Sequence, residues 1–336
     1  MAPRNLLTDV PGLSVGHATD LRLGSGVTMV VFDRPVIASL DVRGGGPGTR
    51  DTGLLDPALT VEAIDAIALS GGSAFGLDAA SGAQAWLKER HRGFAVREAR
   101  VPIVPGAVLF DLLSGGDKAW GRFPPYRDLG YAACAAATDG DFALGSVGAG
   151  TGATTVNCKA GIGSASATTP DGHWVGALAA VNAVGSVTVG NGPWFWAAPF
   201  ERDGEFGGRG FPSPLPPGAL DPVTKAGARE STTLVVVATD AALTKAQANR
   251  LAIMAQSGLS RAIYPVHSPL DGDVVFAAST GRRALGEPPE TAYLALTNLG
   301  AVAANVVARS IARAVFEAAA LPIAGAMRSW RDQFGE

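Results

Sequence analysis

The chain has 336 residues, of which 47 % are hydrophobic and 17 % are charged, and its formal net charge is -3. This composition indicates a globular protein with a large core and excludes a disordered chain. Without a basic excess, the chain is not expected to bind nucleic acid or an anionic membrane surface.

Cysteine usage and the N-terminal sequence indicate the compartment. Cys134 and Cys158 are too few for a disulfide framework, so we expect buried free thiols in a reducing environment. The first residues, MAPRN, lack the basic and then apolar layout of a signal peptide. No apolar run approaches the roughly 18 residues of a membrane span. These features predict a cytoplasmic protein that does not enter a membrane.

The N-terminal third predicts strands separated by glycine-rich turns. Residues 27–32 and 64–69 are short apolar runs typical of buried strands. A glycine-rich loop covers residues 41–50, and residues 70–73, with the sequence SGGS, lead into a helix over residues 74–90. The glycine spacing fits neither a P-loop nor a dinucleotide-binding fingerprint. We therefore expect close packing of this helix on its strand rather than phosphate binding.

The middle of the chain combines small residues with a proline-rich segment. Residues 145–166 are small enough to let backbone approach backbone, or a substrate, closely. Residues 174–189 predict a strand interrupted by Asn182, which is either a satisfied structural polar group or part of an active site. Residues 204–229 contain five prolines, which exclude a regular helix or central strand and predict an exposed, mobile linker.

The C-terminal third alternates strands and helices. A β-branched strand begins abruptly at residues 231–237, and a helix runs from the candidate N-cap Thr244 to about residue 259. A further strand covers residues 273–279, and an alanine-rich helix covers residues 291–320. Strands and helices of mixed order in one large core predict a layered α/β or α+β architecture.

The junction between the linker and the strand at residues 231–237 carries the candidate chemistry. A threonine hydroxyl is a weak nucleophile that needs a base. If the peptide bond before Thr232 is cut, the new α-amine, with an ordinary pKa of about 7.7–8, supplies that base on the same residue. The alternative is an ordinary strand start, because Ser231-Thr232-Thr233 before a valine run is common in β proteins.

Nearly the whole chain resembles the N-terminal-nucleophile aminopeptidases, a family that includes L-aminopeptidase/D-esterase, the β-aminopeptidases and the 6-aminohexanoate-oligomer (nylon-oligomer) hydrolases. The matching segments are residues 7–17 (LTDVPGLSVGH), 70–77 (SGGSAFGL), 147–153 (VGAGTGA), 232–240 (TTLVVVATD), 265–267 (PVH) and 271–273 (DGD). The resemblance implies a layered α/β fold, an α/β/β/α sandwich with two central sheets between helices. It also implies a single catalytic domain over residues 1–336 and a homo-oligomer, a tetramer of processed heterodimers.

The resemblance also locates the nucleophile. Thr232 matches the residue exposed by self-cleavage, so the expected cut between Ser231 and Thr232 gives fragments 1–231 and 232–336. Relatives often have Asn or Gly before the nucleophile, where this chain has Ser231. Ser231 therefore stays a second candidate, after a cut following Glu230.

Three further residues receive roles from the same resemblance. Asn182 matches an asparagine whose amide donates to the oxyanion of the tetrahedral intermediate. Asp271 and Asp273 match an acidic pair of the nylon-oligomer hydrolases, where aminopeptidases have Ser at one of the two positions. Such a carboxylate would orient the Thr232 ammonium and help proton transfer, or hold a substrate amine. Taken alone, the sequence Asp-Gly-Asp is better explained as a turn that opens a strand.

Two positions depart from the family pattern. Some relatives have a tyrosine donor where this chain has Phe110, so that hydrogen bond is lost. A lysine of some relatives falls at either Asn157 or Lys159, because the loop differs in length. We favour Lys159 as a catalytic residue, with a solvated surface charge as the alternative.

The expected function is a self-processing amide hydrolase that acts as an aminopeptidase on short peptides or amino-acid amides and esters. Endohydrolysis of 6-aminohexanoate oligomers is the alternative, favoured by the paired aspartates. Acyl transfer of the ornithine acetyltransferase type and an unprocessed, non-catalytic binding protein are alternatives of other classes. The four histidines, His17, His91, His173 and His267, show no metal-ligand spacing and receive no role, so we expect neither a metal nor an organic cofactor.

Overall fold

The computed structural model describes residues 3–225, 231–286, 289–323 and 325–335. The strands in these ranges are β1 (Leu13–Asp20), β2 (Ser25–Val42), β3 (Gly48–Arg50), β4 (Ala63–Ser70), β5 (Phe94–Val96), β6 (Ala99–Val101), β7 (Gly106–Val108), β8 (Ile162–Thr168), β9 (Trp174–Asn182), β10 (Thr232–Ala242) and β11 (Val274–Ala284). The helices are α1 (Ala79–Glu89), α2 (Tyr126–Ala135), α3 (Lys245–Ala255), α4 (Ser257–Ala262), α5 (Ala292–Phe316) and α6 (Trp330–Phe334).

Strand β2 joins two layers of strands. It pairs with β1 and β4 along its first half, and from Ile37 to Val42 it pairs with β11. The register against β4 shifts between Val31 and Val36, which marks the irregularity between the two halves. The hydrogen-bonded order β3-β7-β4-β2-β11-β10-β9-β8, with β1 on β2, therefore contains a β4 layer and a β10 layer.

Apolar side chains show the order of the layers. Between the two strand layers, Val30 and Ile67 belong to one buried cluster with Leu234 and Phe276. Outside the β4 layer, a second cluster includes side chains of α1 and α2, and outside the β10 layer a third includes side chains of α3, α4 and α5. This order confirms the expected α/β/β/α fold. The expectation of two separate sheets is corrected, because β2 runs through both.

Helix α5 is the longest helix among the described residues. Its 25 residues are long and apolar enough to cross a membrane, whereas the sequence was expected to hold no such run. However, 72 % of its most apolar window is buried inside the protein. It packs on β8 and β9, and a Cβ on Gly163 would lie 1.9 Å from the Ser310 carbonyl oxygen. The small residues at 145–166 thus serve, in part, the close packing of layers.

The predicted elements are present with shifted ends. The Thr244 side chain accepts a hydrogen bond from Gln247 N, which confirms it as the N-cap of α3. The helix predicted from residue 74 begins as a 3-10 turn, Ser73–Asp78, and becomes α-helical only at Ala79. The strand predicted over residues 174–189 ends at Asn182, which places that side chain at the end of β9.

The proline-rich segment is irregular and mostly exposed, as predicted, but a few of its described side chains pack against the body of the protein. Phe206 is 1 % exposed, and the Glu205 carboxylate pairs with the Arg309 guanidinium. Further on, Ala219 is 5 % exposed, and Lys225 N donates to the Val184 carbonyl at 3.1 Å. Residues 226–229 lie outside the described residues. Proline removes backbone donors, but it does not stop apolar side chains from packing.

Candidate active site at the head of strand β10

Thr232 is the first residue of β10 and is 5 % exposed. Side chains alternate along a strand, so Thr232 lies on the same face as Leu234, which points between the two strand layers. Its partner across the antiparallel β9 is Asn182. Directly opposed residues share a face and place their Cβ atoms about 4.5–5.5 Å apart. The register therefore brings two of the predicted site residues together.

The carbonyl group of Ser231 is held by two donors. Its oxygen accepts a hydrogen bond from Gly272 N at 3.0 Å and from Thr232 Oγ1 at 2.5 Å. A Cβ on Gly272 would lie 2.4 Å from Thr232 Oγ1, so only glycine leaves room for the hydroxyl there. The peptide bond expected to be cut thus has a polarised carbonyl with a hydroxyl against it.

Asn182 is fixed in one orientation. Its Oδ1 accepts from Thr154 N and from Lys225 Nζ, both at 3.0 Å, while Nδ2 donates to the Phe110 carbonyl at 3.0 Å. The two donors require an oxygen and the carbonyl requires a nitrogen, so the amide cannot be flipped. Phe110, which replaces the tyrosine of some relatives, therefore still contacts Asn182 through its backbone carbonyl.

Lys159 is not a surface charge, because it is 2 % exposed. Its Nζ donates to the carbonyl oxygens of Gly150 at 3.1 Å, Ala153 at 2.8 Å and Ala160. Burial lowers the pKa of Lys159 to about 7; the charge of Asp111 opposes this change and that of Lys225 adds to it. Three carbonyl acceptors match the three donors of an ammonium group, which favours the charged form. Lys159 therefore holds the loop that presents Thr154 N to Asn182.

The acidic pair lies on the other side of Thr232, directly before β11. Asp273 Oδ1 accepts a hydrogen bond from Thr233 N at 2.7 Å, and the backbone of Asp271 forms a parallel β-bridge with that of Ser231. Burial, the charge of Asp273 and a hydrogen bond with Asp273 raise the pKa of Asp271 well above its ordinary value. The two carboxyls therefore lie on one side of the turn, as their spacing predicts.

The glycine-rich loop at residues 41–50 supports this turn. Gly46 N donates to the Asp271 carbonyl at 2.7 Å, and a Cβ on Gly44 would lie 2.3 Å from the same oxygen. Backbone can approach so closely only where no side chain intervenes. The loop thus positions the acidic pair.

Sequence reasoning missed three residues of this site. His267, which received no role, places Nδ1 2.9 Å from Asp273 Oδ2. Lys225 lay in the segment expected to be mobile. Asp111 is fully buried and accepts from Ser25 Oγ at 2.6 Å and Gly72 N at 2.7 Å, and burial raises its pKa. An isolated aspartate in the apolar run 107–113 was the available signal for Asp111.

Comparison with known sequences identifies the family. The family described as peptidase family S58 matches residues 5–328. The chain belongs to peptidase family S58. It is therefore a hydrolase of the peptidase type, and the predicted resemblance is confirmed.

Two relatives of this S58 peptidase show different degrees of similarity. An uncharacterized aminopeptidase of Mycobacterium bovis is 44 % identical over 349 residues, which cover 98 % of this chain and 98 % of the relative. The 6-aminohexanoate-oligomer endohydrolase of Paenarthrobacter ureafaciens is 29 % identical over 318 residues, which cover 89 % of this chain and 82 % of the relative.

Solved structures show the fold. A β-aminopeptidase of Burkholderia sp. superposes with a TM-score of 0.70 at 23 % identity, covering 98 % of this chain and 92 % of that one. The L-aminopeptidase D-Ala-esterase/amidase of Ochrobactrum anthropi superposes with a TM-score of 0.69 at 20 % identity, with the same coverage, and is described as a variant of the Ntn-hydrolase fold. The S58 peptidase thus has the Ntn-hydrolase type of layered fold. Within the described ranges, no group of three or more His, Cys, Asp or Glu side chains could hold a metal ion.

Proposed function

We propose that this S58 peptidase cuts its own chain between Ser231 and Thr232 and then hydrolyses amide bonds with Thr232 as an N-terminal nucleophile. The observation that carries the proposal is the Ser231 carbonyl. Its oxygen accepts from Gly272 N, and Thr232 Oγ1 lies 2.5 Å from it. A donor on that oxygen stabilises the negative charge that develops there during attack.

The cut proceeds by transfer of the acyl group from nitrogen to oxygen. Thr232 Oγ1 attacks the Ser231 carbonyl carbon, the carbon–nitrogen bond breaks, and the hydroxyl proton ends on the Thr232 nitrogen. The product is an ester between Ser231 and Thr232 Oγ1. Water then hydrolyses this ester, which leaves a carboxylate on Ser231 and restores the hydroxyl beside a free α-amine.

Turnover repeats the chemistry on a substrate. The Thr232 amine takes the hydroxyl proton, and Oγ1 attacks the substrate carbonyl. Asn182 Nδ2 donates to the oxyanion, and the leaving amine takes the proton from the Thr232 ammonium. Asp271 and Asp273 hold that ammonium from the turn before β11. Water releases the acyl group from the ester.

The geometry favours Thr232 over Ser231 as the nucleophile. Ser231 Oγ is buried and has no hydrogen-bond partner among the described residues. The Thr232 hydroxyl instead lies on the carbonyl that it must attack. A solved neighbour is described as a prototype of serine aminopeptidases, so either hydroxyl suits this mechanism in principle.

The substrate proposed first is a short peptide, amino-acid amide or ester with a free amino end. The relative that is 44 % identical is described as an aminopeptidase, and the acidic pair beside Thr232 can bind a substrate amine. Endohydrolysis of 6-aminohexanoate oligomers is the second candidate, supported by the 29 % identical relative of that name. An oligomer with a blocked amino end separates the two, because only the endohydrolase would cut it.

Intact-mass measurement of the purified protein, with N-terminal sequencing of the smaller fragment, tests the proposal. We expect two fragments and the N-terminal sequence TTLVV. The sequence STTLV would move the nucleophile to Ser231. A single full-length mass in an active preparation would refute self-cleavage.

A further inference from the structure

A cavity of about 510 Å³ is lined largely by residues that follow β9 in the chain, and we call it the aromatic pocket. Its walls include Trp194, Trp196 and Tyr264 from the body of the protein and residues 216–223 of the proline-rich segment. Cavities of about 300–1,000 Å³ with apolar walls and a few polar groups are typical of ligand sites.

The floor of the aromatic pocket is polar but already paired. Asn157 Nδ2 donates to Thr188 Oγ1 at 2.9 Å, and Ser186 Oγ donates to Asn157 Oδ1 at 3.2 Å. Among the described residues that line it, Asp221 is the only charged side chain, so the pocket does not suit an anionic ligand. Its aromatic and proline walls suit an uncharged apolar group.

The aromatic pocket is joined to Asn182 by short stretches of chain. Ser186 on its floor follows Asn182 by four residues, which span at most about 14 Å when fully extended. Val156, which also lines the pocket, donates through its N–H to the Gly185 carbonyl at 3.2 Å. Thr154, two residues earlier, bonds Asn182 directly. Up to about four extended residues of a substrate therefore span the distance from Asn182 to the floor of the pocket.

The wall formed by the proline-rich segment is anchored by contacts that the cut leaves intact. Tyr264 Oη donates to the Leu220 carbonyl at 2.9 Å, and Lys225 N donates to the Val184 carbonyl at 3.1 Å. Ala219 is packed against Gly190. None of these contacts involves the peptide bond between Ser231 and Thr232.

We propose that residues 216–225 stay in place after the cut and that the aromatic pocket binds an uncharged apolar group of the substrate within about four residues of the scissile amide. This inference rests on the proposed function. The group is either an aromatic or aliphatic side chain of a peptide or the polymethylene chain of an ω-amino acid oligomer. Both sources share the same chemistry, and the substrate series below separates them.

The first experiment compares Trp194→Ala with Trp86→Ala, a half-buried tryptophan on α1 that does not line the pocket. We expect Trp194→Ala to lower kcat/KM about 10-fold or more, mainly through KM, for phenylalanine peptides or for 6-aminohexanoate oligomers, whichever class uses the pocket. Glycine amide should lose less than about 2-fold with either variant. Equal losses on small and bulky substrates, or no loss at all, would overturn the assignment.

A second experiment does not depend on self-cleavage. Quenching of tryptophan fluorescence by N-acetylphenylalaninamide and by N-acetyl-6-aminohexanamide, measured on the uncut Thr232→Ala variant, reports binding to the aromatic pocket. Saturable quenching whose dissociation constant rises about 10-fold when Trp194→Ala is added supports binding in the aromatic pocket. This result would hold even if the native chain never cuts itself. Quenching that is non-saturable, or unchanged by Trp194→Ala, refutes it.

Hydrogen exchange tests the retained wall. Peptides over residues 216–225 should exchange slowly in the processed enzyme and in the uncut Thr232→Ala variant alike. If they exchange at the rate of an unstructured peptide only after the cut, the segment leaves and the pocket loses one wall. That outcome would refute the retained wall while leaving self-cleavage established.

Discussion

The segments that pack beside Thr232 next to β9 and before β11 carry opposite charges. On the β9 side, Asn182 is contacted by Lys225, and Lys159 holds the loop behind it. On the β11 side, Asp273 contacts Thr233 N and Asp271 bridges to Ser231. The cationic side is built from residues upstream of the expected cut and the acidic side from residues downstream of it. Each fragment would therefore carry only half of the chemistry.

The opposite charges suit the two sides to different steps of the chemistry. Gly272 N, on the β11 side, donates to the Ser231 carbonyl that is attacked in the cut, whereas the β9 side offers a donor and positive charge for the oxyanion of turnover. An N-terminal ammonium is stabilised by carboxylates, which the β11 side offers. Changes on the β9 side should therefore act on the attack at the carbonyl, and changes on the β11 side on the charge state of the amine and its neighbours.

Replacing Thr232, which lies between the β9 side and the β11 side, should have the largest effect on cleavage and turnover. Thr232→Ala removes the hydroxyl, so neither the cut nor turnover can occur, and loss of a nucleophile typically lowers kcat by about 10⁴- to 10⁶-fold. Intact mass should show one uncut chain. Thr232→Ser, which keeps a hydroxyl, is the matched control and should still cut. Clean processing of Thr232→Ala would show that the two sides flank the wrong residue.

Asn182→Ala tests the β9 side directly. Removal of one oxyanion donor costs about 100- to 1,000-fold in kcat, and we expect a loss of that size in processed enzyme with KM little changed. Asn182→Asp is the informative control, because it keeps the shape but has no donor when ionised. If KM rises while kcat is retained, Asn182 binds substrate and does not stabilise the oxyanion.

Lys225→Met removes the cation that contacts Asn182 Oδ1 while keeping most of the side-chain length. A hydrogen bond to a charged group contributes about 1.5–3 kcal/mol, so self-cleavage should slow by about 10-fold or more. Lys225→Arg should restore most of the rate. Because the charge of Lys225 lowers the pKa of Lys159, the pH profile of cleavage should also shift upward in Lys225→Met. A normal rate with an unshifted profile would remove Lys225 from the cationic side.

The layered fold could be predicted from the sequence more completely than the side-chain contacts within the candidate site. The layered fold and the junction at Thr232 follow from apolar periodicity, turn residues and the matched motifs. The contact of Lys225 with Asn182 could not be predicted, because proline content reports backbone regularity and not where side chains pack. The His267–Asp273 contact depends on the turn at residues 268–272, and the composition of that turn does not encode its geometry.

The β11 side should be visible in the pH dependence of stability of the uncut chain. Asp271 keeps its proton in the folded chain to a pH well above its ordinary pKa of 3.8, whereas the unfolded chain loses it near that value. Stability should therefore fall as pH rises from about 4 towards the folded-state pKa. In the Thr232→Ala background, Asp271→Asn, which mimics the neutral acid, should raise Tm by a few degrees at pH 7 and flatten the profile.

Asp273→Asn is the matched control for that measurement. Asp273 accepts from Thr233 N and contacts His267 Nδ1, so its replacement should lower Tm at pH 4 and pH 7 alike. If Asp271→Asn is destabilising at pH 7, Asp271 is ionised in the folded chain. The acidic side then carries two charges before the cut.

The smallest effect is expected at Ser231, the last residue of the upstream fragment. Its hydroxyl is buried without a hydrogen-bond partner among the described residues, whereas its carbonyl is held by Gly272 N. The carbonyl belongs to the backbone, so Ser231→Ala keeps the bond to be cut and its donor. Cleavage and turnover should therefore change by less than about 2-fold, and loss of an unpaired buried polar group should not destabilise the chain. A block in cleavage comparable to that of Thr232→Ala would mean that the nucleophile is Ser231 and that the boundary between the two sides lies one residue upstream.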